Sequence, residues 1–190
     1  MSRYYELDDD KYIAGRWHLR TPSTDESGQD EVFDIWRFNE GRPLNIEHPI
    51  RMSVSPQGIA LDYTHALGIP VVHRRVVSLF ARLELQTEVQ FIPIEVEAQK
   101  EPYFILNALR IIRCIDETRS DQLFHWRPED GEQERVGQYK NIRGLKIDPT
   151  KVEGAHIFRP WGWDGVLIVS KRIKSAMQEE GITGPDFVEV

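Results

Sequence analysis

"EVQFIPIEVEAQKEPYFILNALRIIRCI", running from Glu88 to Ile115, decides the fold. In its first eleven residues Ile92, Ile94 and Val96 alternate with Gln90, Glu95 and Glu97. That is the two-residue period of a strand with one face buried. Pro93 lacks an N–H for a ladder, so this strand is expected at a sheet edge or with a bulge. "QKEP" then supplies a turn. Tyr103 to Ile115 is ambiguous by periodicity, because Ile105, Ala108, Leu109 and Ile112 also fit a helical stripe. Its aromatic start, its isoleucines and the preceding turn favour one long strand folding back on 88–98.

Working outward, Val76, Leu79, Phe80 and Leu83 fall at i, i+3, i+4 and i+7, which predicts a helix over about 74–85. Near the other end come a strand at "HIF", a turn, a strand at "VLIV", a helix over about 170–180 and a last strand at "DFVEV". Ser170 is the candidate N-cap of that helix and Gly181 its stop, with Ile173, Ala176 and Met177 facing inward. Upstream, "RYYEL" (3–7) and "VFDIWRF" (32–38) have strand composition, and "TPSTDESGQDE" (21–31) reads as an exposed, mobile loop. Residues 116–152 break into turns and short pieces, with a short strand at "GLKIDP". Helices and strands do not alternate as βαβ units. The expected class is therefore α+β, a largely antiparallel sheet with two main helices.

The 190 residues suit one domain, 1–190, in which 1–57 is an N-terminal strand and loop elaboration. A hydrophobic content of 40% is enough for a core without metal or disulfide, and Cys114 is the only cysteine. A net charge of −7 disfavours nucleic acid as the main ligand, since phosphate binding calls for a basic face. No signal-peptide pattern and no run long enough to cross a bilayer is present, so a cytoplasmic protein is expected.

The six histidines form no metal-ligand spacing, and no nucleophile elbow, P-loop or dinucleotide fingerprint occurs. No catalytic residue, cofactor or metal is expected. Cys114 sits in an apolar run and reads as an inert core residue. Asp116, Glu117, Glu129 and Asp130 could pair as catalytic carboxylates, but turn formation accounts for them more simply. Asp62, Tyr63 and His65 in "LDYTHALGIP" could line a pocket, and a capped loop is the plainer account. "FRPWGWDG" (158–165) reads as strand, turn and strand, with Trp161 and Trp163 closing one end of the core.

An ordered series of motifs carries a resemblance: "EPYFILNALRIIRCID" (101–116), "WRPEDG" (126–131), "GQYKNIRGLKIDPTKV" (137–152), "HIFRPWGW" (156–163), "LIVSKRIKSAM" (167–177) and "GITGPDFVEV". The chain is similar to a family of bacterial immunity proteins from polymorphic toxin systems. The likeness covers roughly the C-terminal two-thirds, extends weakly upstream through "GIALDYT" (58–64) and "PVVHRR" (70–75), and is loose over the first fifty-odd residues. It implies a cytoplasmic, non-enzymatic antidote that binds a cognate toxin and protects producer or sibling cells. The acidic composition suits a basic toxin such as a nuclease.

The partner-binding residues expected on this reading are the acidic loops: Asp8, Asp9 and Asp10; Asp25, Glu26, Asp30 and Glu31; and Glu129, Asp130, Glu132 and Glu134. The alternative is an enzyme or small-ligand binder with a pocket near Arg159, Trp161 and Asp116.

Overall fold

A computed structural model describes residues 3–24 and 34–190. In chain order its strands are β1 (Tyr4–Asp9), β2 (Ile50–Met52), β3 (Tyr63–Ala66), β4 (Ile69–His73), β5 (Val89–Val96) and β6 (Tyr103–Ala108). After these come β7 (Ile111–Ile112), β8 (Gln122–His125), β9 (Tyr139–Arg143), β10 (Ile157–Pro160), β11 (Ile168–Ser170) and β12 (Pro185–Glu189). Helix α1 is Arg74–Arg82 and α2 is Lys171–Glu179.

One sheet has the order β12-β1-β11-β10-β7 and the other β2-β5-β6-β4-β3, while β8 and β9 pair separately. Every pairing is antiparallel except β10 with β7 and β2 with β5. The class is α+β with largely antiparallel sheets.

The β5–β6 hairpin forms as read, with Ile92 opposite Ile105 and Ile94 opposite Tyr103. The single long strand from 103 to 115 does not. β6 ends at Ala108, and after two residues β7 joins the other sheet beside β10. The continuous apolar run reflects burial on two faces rather than one unbroken element. Tyr103 and Ile105 point to one core, whereas Leu106 and Ala108 point to another. Pro93 is a correction too, because β5 lies inside its sheet. β2 pairs with β5 only from Ile94 onward, so no ladder partner flanks Pro93 on that side and its missing N–H leaves no gap.

Between the two sheets, Tyr5, Leu7, Ile157 and Val169 meet Val72, Leu106 and Ala108, with Val76, Leu79, Phe80, Ile173 and Met177 of the helices completing the core. Trp17, Phe38 and Leu44 cover the outer face of the second sheet. Cys114, Tyr139, Ile147 and Val152 cover that of the first. Both helices lie where their apolar stripes place them, with Leu83 and Ala176 packed at the margin. Ser170 holds the N-cap position of α2, yet its hydroxyl pairs with His156 Nδ1 at 2.9 Å and makes no capping bond.

Three other expectations are overturned. Residues Ile35–Asn39 form a 3-10 turn capped by Asp34, whose carboxylate accepts from Trp36 N–H at 3.0 Å, and not a strand. "GLKIDP" contributes one bridge, Ile147 to Ile115. "LDYTHALGIP" is the β3–β4 hairpin and not a loop. Residues 25–33, which include most of the acidic loop, lie outside the described residues.

Candidate functional site

The strand pattern brings three segments far apart in sequence to one place. β1 ends in Asp8 and Asp9, so these two belong to a strand and not to an acidic loop. The β3–β4 hairpin turns through Leu67 and Gly68, both at positive φ (51° and 81°), as a two-residue hairpin of this hand requires. Along β3, Tyr63 and His65 are two residues apart and point the same way. The third segment, "FRPWGWDG", carries Arg159.

His65 is held from both ring nitrogens. Its Nε2 lies 3.0 Å from the Tyr63 hydroxyl, which itself donates to Leu7 O at 3.5 Å. Nδ1 faces Asp8 Oδ1 at 3.0 Å and Asp9 Oδ1 at 3.3 Å, which calls for a proton on Nδ1. Burial alone lowers the pKa of His65, but the bonds to Asp8 and Asp9 outweigh it and the net shift is upward. The same bond, followed by Lys11, holds Asp8 well below the usual carboxylate range. Burial raises Asp9, and the His65 and Arg16 bonds overcome that to bring it down.

Behind Asp9 stands Arg16, buried, pairing with Asp9 Oδ2 and donating to Thr64 Oγ1 at 2.7 Å and Asp10 O at 2.6 Å. Lys11 Nζ caps Asp8 Oδ2 at 2.9 Å. One carboxylate oxygen of each aspartate thus meets a cation and the other meets His65. Asp8, Asp9 and His65 also present ligand atoms within 4.8 Å of one another, a spacing that sequence distance concealed. Lys11 and Arg16 already balance both carboxylates, so the charge a divalent ion would need is spent within the protein.

Asp8, Asp9, Lys11 and His65 line a cavity of about 240 Å³ together with Glu6 and Arg159. Arg159 is fully buried and donates through Nη1 to Asp164 O at 2.8 Å and Val166 O at 3.3 Å. Burial brings its pKa down to about 10, which leaves it charged at neutral pH.

The other expected site residues lie elsewhere. Asp116 closes a turn by accepting from Thr118 and Arg119, and Glu117 accepts from the Tyr139 hydroxyl at 2.6 Å. Trp161 is stacked by the Arg113 guanidinium 3.4 Å from its ring centre, while Trp163 packs on the outer core of the first sheet. Neither Trp161 nor Asp116 lines the Arg159 cavity, so that expected grouping is not formed. Asp62 ties β3 to the C-terminal segment through Thr183 and to α1 through Arg75.

Glu129, Asp130, Glu132 and Glu134 are exposed between β8 and β9, beside Phe124 and Val136. Asp130 pairs with Lys140 at 2.7 Å and caps Arg127 N–H, whereas Glu132 and Glu134 enter no ion pair among the described residues. Asp25, Glu26, Asp30 and Glu31 fall outside them. Asp10 Oδ1 accepts from Tyr12 N–H.

A family model described as "Immunity protein family (Imm11)" matches residues 6–190. The chain belongs to the Imm11 immunity protein family. The match begins at Glu6, within β1, and so takes in most of the first fifty residues, which the motif series reached only loosely. No curated protein matches the chain. Sequence reasoning missed Lys11, Arg16, Thr64 and the buried place of Arg159. The available signal was a histidine set among inward-facing residues of a short alternating strand. Among the described residues no helix is long and apolar enough to cross a membrane.

Proposed function

We propose that this Imm11 chain neutralises a cognate bacterial toxin inside the producing cell by forming a stoichiometric complex, without chemistry of its own. The observation that carries the reading is family membership over nearly the whole chain. The acidic balance of −7 favours a basic partner, because complementary charge speeds encounter and disfavours wrong partners.

The face best suited to that role is the β8–β9 arm. It combines acidic side chains that enter no ion pair among the described residues, Glu132 and Glu134, with the exposed apolar Phe124 and Val136. Such a mixture is typical of recognition patches, in which a few apolar anchors sit inside a charged rim.

Co-expression with each toxin encoded beside this gene is the deciding experiment. One of them is expected to be rendered harmless and to co-purify one-to-one with the chain. Rescue from none of them would overturn the reading. Glu129→Lys, Glu132→Lys and Glu134→Lys together should slow association about tenfold and flatten its salt dependence. Unchanged association kinetics would move the interface elsewhere.

A further inference from the structure

One edge of the first sheet is β12, "PDFVE", with Val188 55% exposed. The edges of the second sheet are covered. Ser23 and Arg51 exchange backbone bonds of 2.9 and 2.8 Å along β2, and Thr183 O takes the N–H of Tyr63 in β3 at 2.9 Å. At the far side of the first sheet β7 has only two residues. Among the described residues no backbone group bonds β12 on the side away from β1. A strand edge left bare in this way is a template for another chain.

Register decides which groups of β12 face outward. Asp10 N–H donates to Gly184 O and Val190 N–H donates to Tyr4 O. Asp186 and Val188 are in phase with these, so their N–H and C=O groups turn to β1. Those of Pro185, Phe187 and Glu189 turn outward. Each of the three is compromised. Pro185 has no N–H. Phe187 N–H donates to Asp186 Oδ1 at 2.9 Å. Glu189 O accepts from Lys146 Nζ at 2.9 Å.

A second copy meeting this edge about a two-fold axis at Phe187 would exchange bonds between the two Phe187 residues and between Pro185 and Glu189. The Phe187 N–H is already occupied. A bond into Glu189 O lacks its donor and finds its acceptor taken. Only Glu189 N–H to Pro185 O is left, too little to hold two chains.

We infer that Pro185, Asp186 and Lys146 together guard β12 against adding a strand from a second copy of this chain. The inference does not rest on the immunity reading.

Sedimentation of the full chain tests it. Lys146→Ala, Pro185→Thr and Asp186→Ala together free the edge and should tighten self-association at least about tenfold relative to the parent chain. Glu189→Pro added to these three removes an outward N–H without touching the bonds to β1, and should return association to the parent level. Should the triple variant lack the parent's circular dichroism, Lys146→Ala with Asp186→Ala is read instead, and a smaller gain is expected. No gain in the variant read, or a gain that survives Glu189→Pro, overturns the inference.

Discussion

At the residue scale the Asp8–His65–Asp9 cluster is an electrostatic clamp whose strength depends on pH. The folded state raises the pKa of His65 above its ordinary 6.5, so its contribution is complete below that value and fades as pH rises through the raised one. Asp8 and Asp9 are lowered from 3.8, so their contribution is present above that value and is lost as pH falls through the lowered ones. His65→Asn is expected to cost about 2 kcal/mol near pH 6 and clearly less above pH 9. Urea denaturation at the two pH values checks this, and equal losses at both would show that His65 is an ordinary packed ring. Cys114 gives a simpler expectation. Burial pushes its thiol up to about 12, so a disulfide reagent should leave the native protein unlabelled and modify one thiol per chain in denaturant. The burial of Cys114 was legible from the apolar run around it. The clamp was not, because Asp9 and Asp8 lie 56 and 57 residues before His65 and only strand register unites them.

At the scale of elements, the two helices and strand β5 could be read from periodicity because each buries mainly one face, whereas β6 was read from its composition and the turn before it. Misreadings arose where an element serves two masters. The run from Tyr103 to Ile115 is apolar throughout because β6 is buried on two faces and β7 then joins another sheet. The β3–β4 hairpin was hidden by its turn, since Leu67 in the left-handed region is not a turn signal anyone would look for. An exposed leucine there carries strain without repaying it by burial. Leu67→Asn creates the favoured Asn-Gly turn and should stabilise the protein by about 0.5–1 kcal/mol in thermal melts. A lower melting temperature would mean that Leu67 makes packing contacts its exposure conceals.

On the scale of the whole molecule, the two sheets are tied at Thr183–Gly184. Tyr63 N–H donates to Thr183 O at 2.9 Å and Asp10 N–H donates to Gly184 O at 2.7 Å. A Cβ at Gly184 would lie 2.0 Å from Tyr63 O, and its φ of +100° already excludes other residues. Gly184→Ala should therefore cost about 3 kcal/mol or more. Because the seam joins both sheets, tryptophan fluorescence and far-UV circular dichroism should lose their signals in one coincident transition. A sheet that melted separately would contradict this.

The pairing of β1 with β11, Tyr4 opposite Ser170, also constrains how the protein comes into being. A ribosome adding about 5–20 residues per second needs on the order of ten to thirty seconds between those two residues. Throughout that interval the nascent β1 has neither of its neighbours, whereas β2 to β6 can already pair among themselves. The first sheet can therefore close around β1 only after residues 168–189 of β11 and β12 have emerged, later than the second sheet.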